Sequence, residues 1–74
     1  MNLPEDEYLL KLGEAIVKRR LELGLKQIEL ASRLNIDDSS LRRIESGRTN
    51  PTVRTLLKLS EALEIKVSEL MKLE

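Results

Sequence analysis

Ser39 and Arg43 stand four residues apart in the stretch DDSSLRRIESGR, residues 37–48. On a helix that spacing places both on one ridge, so both side chains can point into one groove. A guanidinium at 43 can bond guanine O6 and N7 together, which is the chemistry of reading a base edge. The same face, opposite Leu41 and Ile44, carries Asp38, Arg42 and Ser46. Beyond it come Arg48, Thr49 and Asn50, with Arg54 a few residues on. Donors of this kind around exposed backbone amides are suited to gripping a phosphate. Gln27, next to Lys26, opens an earlier apolar-periodic stretch, where its amide can donate to a phosphate faced by the helix N-terminus.

Asp37 and Asp38 run against this pattern, because two carboxylates at a helix tip repel phosphates. Three outlets exist. Asp37 can cap the helix, Asp38 can pair with Arg42 four residues later, or Asp38 can accept from a cytosine amine. The first two are structural and are favoured over the third.

Two short helices must position these groups. The first, Gln27 to Leu34, spaces Ile28, Leu30, Ala31 and Leu34 helically, and the second, Asp38 to Ser46, sets Leu41 and Ile44 on one side. Between them, Asn35 tolerates a left-handed backbone, Ile36 is a buried plug, and Asp37 is the N-cap. Ala31 is small where a steeply crossing helix would touch the backbone. This is helix-turn-helix grammar at 27–46, and the second helix of such a pair commonly enters the major groove of DNA.

The rest of the chain supplies a scaffold. Pro4 can occupy the first turn of a helix whose positive end Glu5, Asp6 and Glu7 complement. Its stripe runs Leu9, Leu12, Ile16, Arg20 and Leu23, and Gly24 ends it. Gly47 is a left-handed cap after the motif. Thr52 or Asn50 caps a fourth helix with a face of Val53, Leu56, Leu59, Ser60 and Leu63, and a last short helix spans Val67 to Leu73. Five helices with short links and no strand signal predict an all-α single domain over 1–74.

Composition sets limits. With 41% apolar residues and one aromatic among 74, the core must be aliphatic. There is no cysteine or histidine, which removes disulfides, thiolate metal sites and the usual general base. No cofactor or small-molecule ligand is indicated. No apolar run is long enough for a membrane span, and the acidic start MNLPEDEY is unlike a signal peptide, so a cytoplasmic location is expected. Lysine plus arginine equals aspartate plus glutamate at 13 each, so bulk charge gives no support to nucleic-acid binding.

From Leu12 to Leu70 the chain resembles the phage-repressor-like helix-turn-helix family, also called the XRE family. The resemblance rests on LG at 12–13, Arg20, GLKQIELA at 24–31, Leu34, Ile36, SSL at 39–41, IESGRTNP at 44–51, LLKLSEAL at 56–63 and VSEL at 67–70. It implies a compact five-helix, lambda-repressor-like DNA-binding domain, usually dimeric, acting on transcription. It also implies base contacts from Asp38, Ser39 and Arg43. Phosphate contacts are then expected from Lys26, Gln27, Arg42, Ser46, Arg48, Thr49, Asn50 and Arg54. Gln27 at this position often orients a side chain on the recognition helix as well. Asn35 stands where the family usually has Gly, and Lys26 stands where Ser or Thr often caps.

Arg20 and Glu45 fall on the apolar stripes of their helices, where a lone charge would be costly, so the economical reading is that they pair. The family has an Arg–Glu ion pair at these positions. At the C-terminus Ile65, Val67, Leu70, Met71 and Leu73 exceed what one short helix can bury. Leu70 is expected to point inward, and Val67, Met71 and Leu73, with Leu57 nearby, to form a homodimer interface.

The leading expectation is therefore a sequence-specific regulator binding double-stranded DNA, as a dimer on a palindromic operator. The alternative is a protein-interaction helix-turn-helix module, such as an antitoxin or bridging component, for which the zero net charge and acidic helix tip speak. An enzyme is a distant third, since no carboxylate pair falls in a recognisable motif.

Overall fold

A computed structural model describes residues 4–73, and among these it has five helices and no strand. They are α1 (Glu5–Glu22), α2 (Gln27–Leu34), α3 (Asp38–Glu45), α4 (Val53–Leu63) and α5 (Val67–Leu70). Pro4 lies just ahead of α1, and its carbonyl accepts from the Tyr8 amide. Glu5, Asp6 and Glu7 fill the first turn, and Arg19 and Arg20 fill the last.

Four helices end in the same way. A left-handed residue at Gly24, Asn35, Gly47 or Glu64 turns the chain, and the following amide reaches back five residues. Leu25 donates to Arg20, Ile36 to Ala31, Arg48 to Arg43 and Ile65 to Ser60, all between backbone groups. This closes carbonyls that would otherwise lack partners. Asn35 does the work of a glycine here at φ 56°. Because Gly47 turns at φ 76°, α3 stops at Glu45 and Ser46 forms its C-cap, one residue short of the 38–46 helix expected. Of the two caps proposed for α4, Thr52 serves: its Oγ1 accepts from the Thr55 amide at 3.1 Å.

One aliphatic cluster joins the helices: Leu12, Ile16, Leu30, Ala31, Leu34, Leu41, Ile44, Leu59, Leu63 and Leu70. α3 is held between α1 and α2, while α4 packs on α1, α2 and α5. Four apolar placements differ from the sequence reading. Ile28 and Val53 are 64% and 71% exposed, since each sits in the first turn of its helix and faces away from the cluster. Ile36 is half-buried rather than a sealed plug. α5 closes after one turn at Leu70, so the chain bends back and Leu73 packs against the core.

α4 is fastened by two side chains whose role was not legible in the sequence. Arg19 Nε donates to the Leu63 carbonyl at 2.8 Å and its Nη2 to the Glu64 carbonyl at 3.3 Å. Arg33 reaches the Ala62 carbonyl at a longer 3.5 Å. Cations at the negative end of a helix are favourable, so α1 and α2 both hold α4 by its C-terminus.

Candidate nucleic-acid interface

The outer face of α3 is braced from beneath by a polar network. Arg20 grips Glu45 with two bonds, Nε to Oε2 at 2.8 Å and Nη2 to Oε1 at 3.3 Å. Its remaining Nη1 donates to the Leu25 carbonyl at 3.0 Å. Gln27 Nε2 donates to Glu45 Oε1 at 2.8 Å. The ion-paired side chains are only 12% and 5% exposed, so the pair is largely shielded and every neighbour it needs is present. One carboxylate thus ties α1 and the start of α2 to the last turn of α3, while Arg20 also holds the α1–α2 turn. Gln27 thus orients Glu45 of α3, and one N–H of its amide is left for another acceptor.

Backbone packing sets the depth of α3. Gly13 lies directly under the last turn of α3, and a Cβ there would overlap the carbonyls of Ile44 and Glu45. Gly47 makes a similar approach to Leu10. Nothing in the spacing of Gly13 announced this contact, because it depends on how closely two helices cross.

At the other end of α3, Asp37 occupies the N-cap position, but its carboxylate caps no backbone amide. It accepts instead from the Ser39 hydroxyl, at 2.7 Å, and from the Ser40 hydroxyl. These two bonds, Ser40's the larger, hold its pKa below the model-compound value of 3.8. Asp38 pairs with Arg42 at 3.2 Å across one turn. Both partners are about half exposed, so the pair contributes little stability, yet it partly neutralises the acidic tip.

Arg43 lies where two shallow clefts meet. One, of about 380 Å³, is lined by Gln27, Arg42, Arg43, Glu45, Ser46 and Arg48. The other, of about 220 Å³, includes Ser40, Arg43, Thr49, Asn50, Thr52 and Thr55. Among the described residues the guanidinium groups of Arg43, Arg48 and Arg54 form no ion pair. Ser46 Oγ donates to the Arg43 carbonyl at 3.2 Å, which leaves only its lone pairs facing outward. Lys26 is exposed and has no side-chain acceptor, so the start of α2 is closed by Glu29 Oε1 reaching the Lys26 amide at 2.7 Å. The geometry therefore gathers Gln27, Arg42, Arg43, Ser46 and Arg48 around one cleft, and Thr49 and Asn50 around its neighbour. Arg54 is exposed in the first turn of α4 and lines neither cleft.

The residues expected at a dimer interface differ in burial. Leu73 is occupied by its own core and Val67 is half-buried, so neither is the free surface expected. Met71 remains 37% exposed, and Val53 and Leu57, one turn apart on α4, are 71% and 58% exposed.

Two helices of eight residues joined by a left-handed turn, with Arg42 and Arg43 on the outer side of the second, define a helix-turn-helix domain. The chain belongs to the helix-turn-helix (HTH_3) family, whose model matches residues 16–70. It is similar to the cryptic phage CTXphi transcriptional repressor RstR of Vibrio cholerae, 33% identical over 61 residues, covering 82% of this chain and 54% of that one. It is also similar to multiprotein-bridging factor 1 of Eremothecium gossypii, 36% identical over 56 residues, covering 76% and 37%. This chain thus spans about half or less of the length of these relatives. In solved structures it resembles the restriction-modification controller protein C.AhdI from Aeromonas hydrophila, with a TM-score of 0.80 at 35% identity, covering 84% and 94%.

Proposed function

We propose that this chain is a sequence-specific, double-stranded DNA-binding transcriptional regulator that lays α3 in the major groove. The observation that carries this reading is the convergence of Arg42, Arg43 and Arg48 with Gln27 on one outward cleft, backed by a rigid Arg20–Glu45–Gln27 network. Asp38, Ser39 and Arg43 face base edges. Phosphates are taken by Lys26, the free N–H of Gln27, Arg42, Arg48, Thr49, Asn50 and Arg54, with Ser46 at the margin. One such helix covers only a few base pairs, so the working form is a two-fold dimer on a palindromic site, with recognition helices about 34 Å apart. Val53, Leu57 and Met71 are the exposed apolar residues available for that contact. A transcriptional repressor among the relatives supports the reading, and the site of action we propose for such a regulator is the cytoplasm. No helix among the described residues is long and apolar enough to cross a membrane.

A second reading is a protein-bridging module, supported by the relative of that name and by the zero net charge. Binding to random-sequence duplex across a salt series separates the two. The DNA reading requires affinity that falls steeply with salt, since each phosphate neutralised contributes about 0.9 to the log–log slope. A flat response with no binding at low salt favours the bridging module.

A further inference from the structure

We infer that Asp37 sets the base preference of Ser39, by holding its hydroxyl so that Ser39 meets the groove as a hydrogen-bond acceptor and selects adenine or cytosine on the strand it faces. The inference rests on the DNA reading above and adds a rule for one position of the operator.

A serine hydroxyl has one hydrogen and two lone pairs. Ser39 Oγ lies 2.7 Å from Asp37 Oδ2, and Ser40 Oγ bonds the other oxygen of the same carboxylate. An ionised carboxylate can only accept, so the direction of both bonds is fixed: the hydroxyls donate. The depressed pKa of Asp37 keeps it ionised near neutral pH. Ser39 therefore has its hydrogen turned back toward the turn and only lone pairs left to offer. Ser39 is itself part-exposed, one position into α3 beyond Asp38, on the ridge that also carries Arg43.

Major-groove chemistry then decides the rule. Adenine and cytosine present exocyclic amines, N6–H and N4–H, whereas guanine and thymine present the acceptors O6 and O4. An acceptor-only Ser39 bonds the first pair and is repelled by the second. A serine free to rotate would serve all four. Asp37 thus acts as a positioning residue, removing a choice that serine normally leaves open. Because the Ser39–Asp37 bond is exposed, water can replace it at modest cost. The preference is therefore a factor of about five to ten, the worth of one net hydrogen bond, and not absolute.

The test selects bound sites from a randomised duplex pool with the full chain and with Ser39→Ala, Asp37→Ala and Ser40→Ala. The column facing Ser39 is the one that loses its preference in Ser39→Ala. In the unmodified protein it should hold adenine or cytosine by about five- to tenfold. Asp37→Ala should widen it to all four bases while the Arg43 column keeps its preference, and affinity for random DNA should hold or rise, since a carboxylate that repels phosphates is lost. Ser40→Ala, which loses only the other hydroxyl, should leave the column as it was. Should Asp37→Ala not fold, the acceptor role of Ser39 is tested on the DNA, with guanine or thymine pairs built into that position of the selected site, and with purine in place of adenine or a pyrimidine lacking the 4-amino group in place of cytosine. Each of these changes should cost the unmodified protein the same five- to tenfold and cost Ser39→Ala nothing. A column of guanine or thymine, a preference that survives Asp37→Ala, or no column altered by Ser39→Ala overturns the inference while leaving DNA binding intact. Enrichment of no sequence at all overturns the DNA reading and this rule with it.

Discussion

Gly13 of α1 sits against the Glu45 carbonyl at the end of α3 so closely that even a methyl group there would overlap it. The contact fixes how deep the recognition helix lies on its scaffold. It also brings the backbone of α1 to the residue whose side chain is gripped by Arg20, about two helix turns further along.

Gly13→Ala should therefore destabilise the fold by about 1–3 kcal/mol, the usual range for overpacking. The sign is informative, because alanine for glycine inside a helix ordinarily stabilises by roughly 0.5–1 kcal/mol. Urea melts of the two proteins compare them directly. A gain in stability would mean that α1 and α3 can part at no cost.

Arg20 and Glu45 should show strong coupling. Removing either alone leaves its partner charge shielded and unpaired, a loss of about 3–5 kcal/mol, whereas replacing both with apolar residues of similar volume should cost far less. A double-mutant cycle in denaturant gives the coupling energy. Single and double losses that simply add would contradict the network drawn around Glu45.

Glu64 turns the chain at φ 53°, a conformation that costs a residue with a Cβ about 1–2 kcal/mol. Glu64→Gly relieves that strain and gives back part of it as unfolded-chain entropy, so a net gain of about 0.5–1 kcal/mol is expected. For a domain of this size that corresponds to a rise of roughly 2–8 °C in melting temperature. An unchanged or lower midpoint would show that Arg19 needs more than the Glu64 carbonyl at this corner.

Asp37 supplies a pH prediction. Its folded pKa lies below the reference 3.8 because the Ser40 and Ser39 hydroxyls favour the charged form. Its contribution to stability is thus present above pH 3.8 and is lost as the pH falls through the depressed folded value. Asp37→Asn should weaken the fold at neutral pH and flatten the acid side of the stability curve. An acid limb identical in both proteins would mean the hydroxyl bonds do not persist in solution.

Much of this architecture was legible because it depends on local chemistry. The five helices followed from apolar spacing and from Gly24, Asn35, Gly47 and Thr52, whose turning and capping preferences act within a few residues. Arg20 and Glu45 stood out because a charge on an apolar stripe needs a partner. What stayed hidden depends on how helices cross. The close approach of Gly13, the carbonyl contacts of Arg19 and the packing of Leu73, which had been expected at the surface, emerge only once α3, α4 and the bend after Leu70 are in place. Ile28 and Val53 were misread because first-turn residues match the stripe in spacing while lying beyond the packed surface. At the candidate interface the donors themselves were visible. The direction of the Ser39 hydroxyl was not, since it follows from a carboxylate that was expected to cap the helix.

In the proposed function the outward ridge of α3 reads bases and the loop after it grips phosphates. Binding of Arg43→Ala and Arg48→Ala, each to a selected site and to random duplex at one fixed salt concentration, tests it most directly. Arg43→Ala should lose about 1–3 kcal/mol on the selected site and much less on random DNA, while Arg48→Ala should weaken both alike. Equal losses on the two DNAs for Arg43→Ala would contradict the account.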